Sequence, residues 1–243
     1  MSLFTPTQLF DAHKFTCAVC NKDIFDEKYF CQNCFNTLPF NNAKTCKLCG
    51  SKLVGENDYC AHCKPGRSFY EKAFSSFDYD GDIISLMYAF KYGNAKFLAE
   101  VFAKYMANTY LNADLKVDMV VAAPLSVKSL LKRGYNQSLL LAQSFCNLAN
   151  LPLIKDNLIK IKDTVQQEKL NNYERRKSLM GAFALTEGKV FENKIIIVID
   201  DVKTTGTTLN RIAKTLKKAK AKRVYGLTAV SSRDKTITGT KRR

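Results

Sequence analysis

The chain has 243 residues, 46% of them hydrophobic, and a formal net charge of +16 at pH 7, enough for one medium domain and a smaller one. No run approaches the roughly 18 apolar residues of a membrane-spanning helix, and the opening MSLFTPTQLFDAHKF lacks the basic, apolar, small-residue order of a secretion signal. A soluble, cytoplasmic protein is expected.

The first elements are cysteine pairs. Cys17/Cys20, Cys31/Cys34, Cys46/Cys49 and Cys60/Cys63 form four CxxC motifs, and the second two repeat the first two at a spacing of 29 residues. Two cysteines on one tight turn aim both sulfurs at a single metal, and a second such turn completes a tetrahedral four-thiolate site. Two structural zincs, each held by consecutive pairs, are expected. Disulfides fit poorly with a reducing cytosol; iron in place of zinc stays open. A closed four-thiolate site has no position for substrate, so its role is to hold a small ribbon together. His62, inside the last pair, reads as a loop side chain, and Cys146, in an apolar helical stretch, reads as a small buried hydrophobe.

Composition changes near Ser68, which sets the expected domains at 1–68 and 69–243. DGDIISLMYAFKYGN (80–94) reads as a helix with Ile83, Leu86, Met87 and Phe90 on one face, ended by Lys91 and Gly93. A second helix covers about 95–111. KVDMVVAAP (116–124) is a buried strand, NQSLLLAQSFCNLAN (136–150) a helix and KIIIVID (194–200) a second buried strand. TTLNRIAKTLKKAK (207–220) is a helix and KRVYGLTAVSS (222–232) the last strand. Apolar strands alternating with helices predict an α/β fold with a mostly parallel sheet. Ligands of such sheets bind beyond the carboxyl ends of the strands, where APLS (123–126) and DDVKTTGTT (200–208) fall.

The segment from Lys203 through Thr204, Thr205, Gly206, Thr207 and Thr208 precedes a helix, whose N-terminal amides and dipole favour an anion. It is not a Walker A loop, because GxxxxGK[ST] is absent. Asp200 and Asp201 immediately before it would repel a bare phosphate run. They suit a phosphate carried on a sugar, whose vicinal hydroxyls need acceptors; a ribose 5-phosphate has that shape. The competing reading is a helix start decorated with capping residues. From Arg211 to the end, twelve basic residues stand against one acid, Asp234. Such a face suits a polyanion such as nucleic acid, or is simply a solvated helix face and terminus.

The order strand–DDVKTTGTT–helix resembles the phosphoribosyl pyrophosphate (PRPP) motif of type I phosphoribosyltransferases. The whole chain resembles one branch of them, the ComF family of competence and DNA-uptake proteins. The paired CxxC ribbons, FDYDGDIISLMYAFKYGN (77–94), APLSVKSLLKRGYNQS (123–138), TVQQEKLNNYERRKSLMGAF (164–183) and VIDDVKTTGTTL (198–209) carry the resemblance. It departs where Gln166 replaces a usual proline-containing step, where the strand end reads Val121-Ala122-Ala123-Pro124, and where Lys203 replaces a common hydrophobic residue. The resemblance implies a type I phosphoribosyltransferase fold behind a double zinc ribbon, and PRPP with magnesium on the residues from Asp200 to Thr208. It places Ser126, Lys132 and Arg133 on the pyrophosphate side; Glu174, Arg175 and Arg176 read as a hood over the site, as a plain charged turn or as a phosphate contact to DNA.

The implied function is handling of incoming single-stranded DNA during natural transformation, with proteins of the uptake machinery as partners. Two others compete with it. An active, magnesium-dependent transferase would displace pyrophosphate from C1 of the ribose, largely by positioning. A zinc-stapled adaptor would leave the phosphate loop vestigial. No nucleobase pocket is legible, which counts against the transferase; the intact aspartates and threonine loop count against the adaptor.

Overall fold

A computed structural model of the chain describes residues 16–24, 29–53, 55–61, 63, 66, 68–161 and 182–232. The ribbon region comes first, with one short helix, α1 (Gln32–Thr37), followed by β1 (Lys72–Asp78), α2 (Gly81–Tyr92), α3 (Leu98–Asn112), β2 (Met119–Ala122), α4 (Val127–Arg133), α5 (Gln137–Ala149) and β3 (Leu153–Ile154). Next come β4 (Leu158–Lys160), β5 (Phe183–Leu185), β6 (Ile195–Lys203), α6 (Thr207–Lys218) and β7 (Arg223–Ser231). Five strands pair in the order β1-β7-β6-β2-β3, all parallel, while β4 and β5 form a separate antiparallel ladder. No helix among the described residues is long and apolar enough to cross a membrane.

Both faces of the sheet are covered, which is why consecutive residues of β6 and β7 are buried, Ile196 to Ile199 and Gly226 to Ser231, rather than alternate ones. One face packs Ile197, Ile199 and Leu227 against α2, α3 and α5. The other packs Ile196, Val198 and Val224 against Leu209, Ile212 and Leu216 of α6. Ile83, Leu86, Met87 and Phe90 are the buried face of α2, as its periodicity predicts.

Strand β1 carries little hydrophobic signal because two of its buried residues are serines. Ser75 Oγ pairs with Thr228 Oγ1 at 2.7 Å and Ser76 Oγ with Thr109 Oγ1 at 3.0 Å, so their burial leaves no hydroxyl unsatisfied. Helix α4 also escapes a periodicity search: it is short, and Val127 and Leu131 on it are exposed.

The 29-residue repeat is visible in the backbone. Thr16 bridges Asp23 and Thr45 bridges Lys52, the same pair one repeat on. Each knuckle needs a left-handed residue after its second cysteine, and the two solve this differently. Asn21 (φ +58°) is exposed, whereas Gly50 (φ +66°) lies so close to β1 that a Cβ would stand 2.3 Å from the Ala73 carbonyl oxygen. Among the described residues the first ribbon shares the core of the larger domain: Phe30 and Leu38 belong to the same cluster as Phe77 and Phe102, and the Phe40 and Phe77 rings lie 5.0 Å apart.

Candidate ligand pocket and metal centres

Strands β2 and β6 are neighbours, but the chain leaves β2 toward one edge of the sheet and β6 toward the other. The loops beyond their carboxyl ends therefore part, and a crevice forms at this switch point. It is a cavity of about 220 Å³, bordered by Ala123, Pro124 and Leu125 after β2 and by every residue from Asp200, near the end of β6, to Thr208 beyond it.

The β6 end of this cavity offers groups that suit an anion. Gly206 takes the N-cap position of α6 at φ +71°, and no side chain caps the helix. Its first-turn amides are thus left for a ligand, and the dipole favours negative charge there. The Tyr70 hydroxyl stands 3.1 Å from where a Gly206 Cβ would be, so the loop also lacks room for a side chain. Thr205 Oγ1 and Thr207 Oγ1 lie 2.7 Å apart.

The two aspartates are held differently. Asp200 Oδ1 accepts from Ser138 Oγ at 2.8 Å and from the Asp201 amide at 2.9 Å. Burial, and then the Asp201 charge, pushes the Asp200 carboxyl up to about 6. Asp201 Oδ2 makes an ion pair with Lys91 Nζ at 3.1 Å, with both side chains largely buried. Burial opposes the charge on Lys91, but the Asp201 carboxylate outweighs it, so the lysine is held above its ordinary value.

Of the residues assigned to the pyrophosphate side, Arg133 borders the cavity; its guanidinium donates to Gln137 Oε1 at 3.2 Å and lies over the Tyr92 ring, 5.4 Å from the centroid. Ser126 is buried, and its Oγ accepts from the Ser129 amide as the cap of α4. Neither Ser126 nor Lys132 lines the cavity, whereas Ser129 does. Lys203 borders the cavity, and as the last residue of β6 its ammonium donates to Ser51 Oγ of the second ribbon at 2.7 Å. The cation beside the aspartates is Lys91, which sequence reasoning explains equally well as a helix C-terminal charge. Lys160 and Phe183, on the β4–β5 ladder, also border the cavity and carry no motif that would mark them. Glu174, Arg175, Arg176, Gln166, His13, His62 and the basic stretch after Ser232 lie outside the described residues.

The eight CxxC sulfurs gather as the repeat predicts: Cys17, Cys20, Cys31 and Cys34 in one group and Cys46, Cys49, Cys60 and Cys63 in another, each with its sulfurs within 4.8 Å of one another. A tetrahedron with Zn–S bonds of about 2.3 Å has edges of about 3.8 Å. Cys20 to Cys31 and Cys49 to Cys60 are both 3.7 Å, so the donor sets fit zinc. Cys146 is buried, and burial pushes its thiol up to about 11, as befits an inert hydrophobe.

Residues 93–238 match the family described as the phosphoribosyl transferase domain. This chain belongs to that family. Residues 9–64, ahead of the phosphoribosyltransferase domain, match the double zinc ribbon domain. The chain is 29% identical to "Competence protein F" of Haemophilus influenzae, over 77% of this chain and 82% of that one. It is 25% identical to "DNA utilization protein YhgH" of Salmonella typhimurium, over 70% and 77%. Domain order and relatives together bear out the ComF resemblance. Among solved structures, a hypoxanthine phosphoribosyl transferase of Trypanosoma cruzi aligns over 60% of this chain and 69% of its own, at 15% identity and a TM-score of 0.36.

Proposed function

We propose that this is a ComF-type competence protein that handles incoming single-stranded DNA in the cytoplasm and carries a pocket for PRPP or a related ribose phosphate. The observation that carries the pocket is the uncapped start of α6 beside the half-buried Asp200 and the buried Asp201, inside a crevice at the switch point of a parallel sheet. Phosphate would sit on the amides of Thr207 and Thr208, and the ribose hydroxyls on Asp200 and Asp201. Magnesium, bound with the ligand, supplies neutralisation of the diphosphate. The competence role is supported by the names of the relatives. Titrating Mg-PRPP into zinc-replete protein, with pyrophosphate release followed in the same samples, tests the reading. Binding without release is expected. Steady release on adding a nucleobase would instead make the protein an active transferase, and no binding would leave the adaptor.

A feature near the cavity supports the DNA component. Tyr88 and Tyr92, one turn apart on α2, are 67% and 40% exposed with ring centroids 5.1 Å apart, and Arg133 joins them from α4. Exposed rings beside a guanidinium offer stacking for unpaired bases and charge for their phosphates. Replacing both tyrosines by alanine is expected to weaken binding of an oligothymidylate by at least about tenfold, since each stacked base contributes ~1–3 kcal/mol. Fluorescence anisotropy at fixed salt measures this, and an unchanged Kd would move the DNA contact elsewhere.

A further inference from the structure

Lys203 is 3% exposed, and a buried charge needs compensation. Its ammonium donates to Ser51 Oγ at 2.7 Å, and Ser51 Oγ lies 3.3 Å from Cys49 Sγ. Ser231 Oγ stands 3.3 Å from the same oxygen; once Cys49 is a metal-bound thiolate, the Ser51 hydroxyl accepts from Lys203 and donates to the sulfur. A four-thiolate zinc site carries a net charge of about −2, and Cys46 and Cys49 are themselves buried. The buried cation and the buried anionic centre are thus separated by one serine.

Among the described residues, this arrangement belongs to the second site alone. One repeat earlier, the position of Ser51 is held by the exposed Lys22. The segment between the second ribbon and β1 also holds the start of α6. Asn210 of α6 accepts from the Phe69 amide at 2.7 Å and from Ser68 Oγ at 3.2 Å, and the Tyr70 hydroxyl abuts Gly206.

We infer that Lys203 is an outer-sphere counter-charge of the second metal centre, acting through Ser51 on Cys49, and that it anchors the threonine loop to that centre as a positioning residue. The inference rests on the reading of the ribbons as zinc sites and of the loop as a phosphate site. Partners of this kind orient ligands and strengthen their donors, and losing one typically lowers metal affinity about 10–100-fold.

The test uses the full chain loaded with zinc and compares Lys203→Met and Ser51→Ala with the parent. Zinc release to a chromogenic chelator and binding of inorganic pyrophosphate are followed separately. In both variants, one of the two zincs is expected to leave at least about tenfold faster while the other keeps its parental rate. Ser51→Ala leaves Lys203 in place, so it separates the metal role from direct phosphate binding and covers the case in which Lys203→Met fails to fold. Parental zinc release in Ser51→Ala overturns the inference, and so does a Lys203→Met chain that loses only pyrophosphate affinity. A parent holding fewer than two zincs overturns it through its metal premise. A parent that holds two zincs but takes no pyrophosphate removes the anchoring role and with it the ribose-phosphate pocket proposed above; the zinc rates still decide the counter-charge.

Discussion

Replacing Asp201 by asparagine is expected to destabilise the fold by about 3 kcal/mol, because it leaves the largely buried Lys91 charge without its partner. Asp200→Asn should act in the opposite direction at neutral pH. The Asp200 carboxyl is raised from an ordinary 3.8 to about 6, by burial first and by Asp201 second, so its ionised form is the disfavoured one in the folded chain. Stability from this group is fully present below pH 3.8 and is lost as pH rises through about 6, because the folded state then holds the proton more tightly than the unfolded chain. Urea melts of the parent across that window should fall with pH more steeply than those of Asp200→Asn. Parallel curves would mean that Asp200 is not under this strain. The double variant should lose ribose-phosphate binding while keeping its fold and both metals; retained binding would refute the assignment of the aspartates to the sugar. In the parent, ribose-phosphate affinity should climb as pH rises through about 6 and Asp200 ionises. The titration of the phosphate itself is common to parent and Asp200→Asn, so their difference isolates the carboxylate.

Converting Cys46 and Cys49 to serine should halve the zinc content from two per chain to one, since each site takes two adjacent CxxC pairs. Apparent binding free energies of structural zinc are on the order of 10 kcal/mol at neutral pH, so the second ribbon should not persist without its metal. The damage should spread into the larger domain. Gly50 packs on the β1 backbone, the Leu48 carbonyl accepts from the Ala73 amide at 2.8 Å, and Leu48 packs with the core on the α6 side. Metal analysis and a thermal melt measure both effects. Undiminished zinc would refute the pairing, and iron in the purified protein would change the metal assignment while leaving the pairing intact.

The sequence by itself determined the elements whose physics is local or periodic. The 29-residue cysteine repeat fixes which pairs share a metal, because only consecutive CxxC turns meet on one short ribbon. The apolar runs of β6 and β7 mark strands covered on both faces, and the stripe of α2 follows from its period. The DDVKTTGTT segment is legible for the same reason, as a strand end running into a helix start whose amides favour an anion. The tertiary structure decided what depends on distant partners. Ser75 and Ser76 make β1 look polar until Thr228 and Thr109 are seen to satisfy them across 153 and 33 residues. Lys91 becomes a site residue only when α2 brings it to Asp201, 110 positions away. Lys203 is the sharpest case. Its place in the motif suggests a phosphate contact, yet the last residue of a strand has little freedom to choose its side, and the sheet directs this one into the second ribbon. Local rules specify which groups the chain offers; the packing of strands and ribbons decides which neighbour each buried charge must answer to, because a buried charge is stable only beside its compensation.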